Sequence, residues 1–132
     1  MSKTISIIIM FALVISIGII FFSNSISKNN TETGKAVQNS EIKDGIQYIT
    51  VNAKGGYSPK MSIAKAGIPT KLIVKTNGTY DCSASLAIRS LGFQKILSQT
   101  GEEVIDLGIQ KTGSTLQGLC GMGMYNFKID FN

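Results

Sequence analysis

Histidine is absent from this chain, and cysteine occurs only twice, as Cys82 and Cys120. Without imidazole there is no Ser-His or Cys-His dyad and no His-ligated catalytic zinc. Any chemistry must use thiol, thioether, carboxylate, amine or hydroxyl groups, and an enzyme is not expected. Clustered positive charge is missing as well. The net charge is +5, yet the lysines from Lys43 to Lys128 stand singly. A nucleic-acid binder concentrates its basic residues and interleaves stacking aromatics. These lysines read as a solvated surface with a mild pull on anionic lipid head groups.

Charge is also lacking from Ile5 to Phe22, where ISIIIMFALVISIGIIFF follows Lys3. As a helix this stretch would rise about 27 Å, close to the hydrocarbon thickness of a bilayer. A cleaved signal peptide has a shorter apolar region and a small-x-small site, which Ser23-Asn24-Ser25 matches poorly. No cysteine follows for lipid attachment. Residues 1–24 are therefore expected to form one retained transmembrane helix, a signal anchor in the cell membrane. Lys3 favours a cytoplasmic amino terminus, with Lys28 and Lys35 acting against it, so the remainder is expected outside. Residues 25–41 are polar and too poor in apolar surface to offset their ordering entropy. They read as a flexible tether.

From residue 42 to 132 the pattern is β, and about two-thirds of the unfolded surface should be buried. Ile46 to Val51 suits a strand packed on both faces, and Gly55-Gly56 breaks it. Met61 to Ala64 is extended up to the Ala66-Gly67 turn. In Lys71 to Thr76, Leu72 and Val74 share one face. Asn77-Gly78 is a turn signal, better explained as a hairpin than as part of a glycosylation sequon. Leu86 to Leu97 reads as short strands around a Leu91-Gly92 corner, or as a helical turn. Glu103 to Leu107, Thr115 to Cys120 and Asn126 to Phe131 alternate as strands. Many short strands with glycine punctuation describe an all-β antiparallel sandwich or barrel.

The residues with chemical potential are Cys120-Gly121-Met122-Gly123-Met124, between two expected strands. Thiolate and thioether sulfurs are soft donors that select Cu(I) over hard cations. The glycines let the backbone turn, so sulfurs two residues apart can converge on one ion. Composition alone favours the plainer reading, in which Met122 and Met124 fill gaps in a core.

From Gly56 onward the chain resembles the cupredoxin-like domain of small bacterial copper-binding and metal-transport-associated proteins. The resemblance rests on Gly56-Tyr57-Ser58-Pro59, Ala66-Gly67-Ile68-Pro69, Cys82 with Leu86 to Gly92, Glu103 to Leu107, Thr112-Gly113 and Cys120 to Met124. It implies a Greek-key sandwich with copper at one end. Cys82 then stands in the earlier ligand loop, Cys120 ends the penultimate strand, Met124 is the later methionine, and Met122 lies where a second histidine often does. With no histidine a blue redox site cannot form, and an all-sulfur set favours Cu(I). The resemblance therefore implies Cu(I) acquisition, buffering or transfer to a membrane copper transporter or copper-requiring protein.

A second reading is structural. Two cysteines in an oxidising compartment readily pair. Such a bridge would add roughly 3–4 kcal/mol in the chain-entropy argument and leave a stapled interaction or sensor module without metal. Both readings can hold together if copper binding depends on the redox state of the thiols. Asp81 beside Cys82 disfavours a reactive thiolate. Glu102-Glu103 reads as a solvated strand start, and Tyr57, Tyr80 and Tyr125 as half-buried sandwich tyrosines.

Overall fold

The computed structural model describes residues 3, 5, 7–13 and 36–132. The chain divides into two units, Met1–Thr31 and Glu32–Asn132. In the first, Lys3, Ile5 and residues 7–13 are helical. No helix among the described residues is long and apolar enough to cross a membrane. The rest of the expected span to Phe22, and the tether up to residue 35, lie outside the described residues.

Among its described residues the second unit holds ten strands. They are β1 (Ser40–Lys43), β2 (Ile46–Ala53), β3 (Tyr57–Ser58), β4 (Met61–Ala64), β5 (Pro69–Asn77), β6 (Ser85–Ile88), β7 (Phe93–Ile96), β8 (Thr100–Ile109), β9 (Thr115–Cys120) and β10 (Asn126–Phe131). One sheet runs β1-β2-β5-β8, with β3 paired to β2, and the other runs β4-β10-β9-β6-β7. The chain enters its sheet at Ser40, and just before it Val37 bridges Ser62.

Alternation decides which side chains meet between the sheets. In β5 Leu72 and Val74 are buried and Lys75 is exposed, while in β10 Phe127, Ile129 and Phe131 are buried. With Ile49, Val51, Leu86, Ile88, Ile105 and Leu116 they form one core supplied by both sheets. Gly118 lies opposite Phe127 across the β9–β10 ladder, and any side chain there would collide with the Phe127 ring. That ring meets Tyr57 edge-on at 5.1 Å.

One buried polar residue interrupts the apolar pattern of β2. Gln47 is fully buried, yet its amide donates to the Lys65 carbonyl at 3.1 Å and to Thr70 Oγ1 at 3.0 Å. Its Oε1 accepts from the Lys65 amide at 2.9 Å. These bonds offset its desolvation and tie the β4–β5 turn to β2.

The expectation of purely antiparallel strands is corrected. β2 pairs with β5, and β4 with β10, in parallel. Parallel neighbours need a crossover. Here the crossover between β2 and β5 passes through β4 in the opposite sheet. The ambiguous region after Leu86 contains both anticipated forms. β6 runs into a short 3-10 turn, Arg89–Leu91, which ends at Gly92 before β7.

Candidate metal centre

Cys82 opens a short 3-10 turn, Cys82–Ala84, in the connection from β5 to β6. Asp81 caps that turn: its Oδ1 accepts from the Ser83 amide at 2.8 Å and from the Ser83 hydroxyl. Its Oδ2 accepts from the Gly55 amide at 2.9 Å. The Ser83 hydroxyl, followed by the Gly55 amide, holds the Asp81 carboxyl below the usual carboxylate range. On the same segment the Thr79 hydroxyl donates to the Ala53 carbonyl, and the Tyr57 hydroxyl donates to the Ser83 carbonyl at 3.1 Å.

Burial, followed by the negative charge of Asp81, pushes the Tyr57 hydroxyl up to about 12 from an ordinary 10.0. The neutral phenol is therefore favoured in the folded state. Its contribution is complete below about pH 10 and is lost as pH rises towards 12. Denaturant unfolding between pH 9 and 12 should show wild type losing stability faster than Tyr57→Phe. Parallel curves would contradict this assignment.

Cys120 ends β9 and is only 2% exposed. Its amide donates to the Tyr125 carbonyl at 2.9 Å, its carbonyl accepts from Gly123 at 2.8 Å, and its Sγ accepts from the Tyr125 amide at 3.4 Å. The turn into β10 is thus closed around this residue. Gly123 has φ +72°, which favours glycine. A Cβ at Gly121 would stand 2.5 Å from Ser85 Oγ, so a side chain there would require that hydroxyl to turn away.

These two structures bring Cys82 and Cys120 together. They are bonded as a disulfide, with Cα atoms 5.7 Å apart across a sequence separation of 38. Met122 and Met124 lie in the β9–β10 turn and are 74% and 62% exposed, which removes the core-filling reading for both. Met124 also lines a groove of about 230 Å³ with Lys54, Lys60, Tyr57 and Tyr125. Among the described residues no three His, Cys, Asp or Glu side chains gather as a metal site. The other two residues of the expected sulfur set, Met122 and Met124, stand in the turn that follows Cys120.

Sequence reasoning missed the supports of Cys82. In the sequence Asp81 stands out only as a neighbour of the thiol, and Tyr57 is buried rather than half-buried. The spacing of Asp81 and Ser83 is the one available signal, since Asp commonly accepts from the amide two residues on.

No family model and no curated protein matches the chain. Solved structures do. The fold is similar to the metal binding domain of the Cu(I)-exporting P-type ATPase CopA of Streptococcus pneumoniae, determined with Cu(I). The TM-score is 0.65 at 23% identity, covering 76% of this chain and 98% of that one. A copper binding protein studied by NMR in its apo form gives a TM-score of 0.67 at 21% identity, covering 76% of this chain and all of that one. At these identities the likeness shows the fold.

Proposed function

We propose that this chain is a membrane-anchored Cu(I)-binding protein with a Greek-key, cupredoxin-like domain outside the cytoplasm. In this reading it acquires, buffers or hands over copper and catalyses no reaction. The observation that carries it is the meeting of Cys82 and Cys120 at one end of the sandwich, beside a solvent-facing Met122-Gly-Met124 turn. The similarity of the fold to two copper-binding domains supports it. The partner class is a membrane copper transporter or a copper-requiring protein.

The bridged form cannot offer thiolates. Two electrons and two protons from a thiol reductant convert the Sγ–Sγ bond to two thiols. Cu(I) then displaces their protons and takes the thiolates as its first ligands. Met122 and Met124 supply neutral sulfur from the open side, where a partner's own soft ligands can exchange with them. The Tyr125 amide already points at Cys120 Sγ and can stabilise the thiolate.

The test is a competition titration of the reduced full chain, in detergent, against a Cu(I) chelator of known affinity. Wild type is expected to bind one Cu(I) tightly. Met124→Leu should weaken binding on the order of tenfold, about 1.4 kcal/mol. Added Cu(II) should give no intense blue band, because no pair of histidines exists. Unchanged affinity in Met124→Leu would remove that residue from the site.

The disulfide itself favours the second reading, a stapled interaction or sensor module without metal. That reading predicts a mass change of two protons on reduction and no gain in Cu(I) affinity.

A further inference from the structure

The segment carrying Cys82 is held by a ladder of side-chain bonds. Residues 79, 81 and 83 on one side meet residues 53, 55 and 57 on the other. The Thr79 hydroxyl reaches the Ala53 carbonyl, the Asp81 carboxylate takes the Gly55 amide, and the Tyr57 hydroxyl reaches the Ser83 carbonyl. The second side is the end of β2, the glycine turn and β3. That turn is itself fixed by the Lys54 amide on the Gly56 carbonyl at 2.9 Å.

Cys82 is held from two sides, because the turn it opens runs on into β6, whose Leu86 stands opposite Cys120 in the β6–β9 pair. Cys120 belongs to the sheet of β4, β6, β7, β9 and β10, whereas the ladder fastens Cys82 to β2 and β3 in the other. The carbonyl of Ser83, one residue beyond Cys82, is gripped by Tyr57, whose ring packs against Phe127 on the Cys120 hairpin. The Ser83 backbone therefore has a fixed anchor that does not rely on the sulfur–sulfur bond.

We infer that Asp81 and Tyr57 are positioning residues that keep Cys82 opposite Cys120 when the bridge is open, so that the dithiol stays arranged for closure or for a shared Cu(I). The Cu(I) clause rests on the function proposed above, while the redox clause stands without it. Bonds that restrain the same segment as the bridge favour bridging as much as bridging favours them. Loss of one ordinary hydrogen bond, about 0.5–1.5 kcal/mol, corresponds to a change of about 2–10-fold.

The measurement is the thiol–disulfide equilibrium of the full chain with glutathione. In that exchange one glutathione disulfide is reduced to two thiols as the Cys82 and Cys120 thiols lose two protons and two electrons. Tyr57→Phe keeps the ring and removes its rung. Asp81→Asn keeps one acceptor oxygen, which cannot serve both Ser83 and Gly55. Each should lower the ratio of bridged to dithiol protein about 2–10-fold. Ile105→Val, a small core truncation in β8, serves as the control for general destabilisation and should leave the ratio within about twofold. If both ladder variants shift no more than Ile105→Val, the inference is wrong. Failure of Cu(I) binding in the wild type would overturn the function proposed above but leave this ratio test intact.

Discussion

Reducing the Cys82–Cys120 bridge is expected to lower the stability of the folded unit by about 4 kcal/mol, the chain-entropy value for a loop of this separation. For a domain of this size that corresponds to a fall in melting temperature of roughly 15–30 °C. Cu(I) should then reverse the loss, because a ligand that binds only the folded state stabilises it by mass action. Free Cu(I) at about a thousand times its Kd restores about 4 kcal/mol. Calorimetry of the oxidised, reduced and reduced Cu(I)-loaded protein reads all three states. A reduced protein that melts like the oxidised one would mean that the bridge constrains little. A reduced protein that Cu(I) leaves unchanged would remove the metal from the account.

The second large effect is on affinity. Cys120→Ser should weaken Cu(I) binding by more than about 100-fold, since even an outer partner of a metal ligand is worth about 10–100-fold. The lost group is a charged soft donor, buried at the end of β9 with a backbone amide directed at it. Serine keeps the size and the turn but offers a hard, neutral oxygen. Denaturant unfolding of this variant and of reduced wild type should agree, because both lack the bridge. A loss of affinity no larger than that of Met124→Leu would show that Cys120 is not the principal ligand.

Much of the scaffold was legible because side-chain alternation and glycine turns are local signals. Met61–Ala64, Thr115–Cys120 and Asn126–Phe131 are strands with the bounds read from the sequence. β5 extends further, to Pro69 and Asn77, because pairing with β8 holds both of its ends. What alternation does not encode is the neighbour of each strand. The parallel pairs arise from the crossing of β4 into the other sheet, a long-range property that no window of residues contains. β1 was passed over for a different reason. Ser-Glu-Ile-Lys is a polar edge strand with little burial, held by its ladder to β2.

The sulfur residues were visible by type, and the fold brings the two cysteines together. Their setting was not visible. Tyr57 and the Gly55 amide lie far in sequence from Asp81 and from Cys120, and become their neighbours only once β2, β3 and the β5–β6 connection meet. The exposure of Met122 and Met124 follows from the same assembly. β9 and β10 bury Cys120 and Phe127, and the turn between them protrudes.

The central claim is that this end of the sandwich is a Cu(I) site once its thiols are free. Its most direct test compares Cu(I) affinity in the oxidised chain, the reduced chain and the Cys82→Ser, Cys120→Ser double variant, all against one chelator. The account predicts tight one-to-one binding in the reduced chain alone. Equal competition by the reduced chain and the double variant would contradict it.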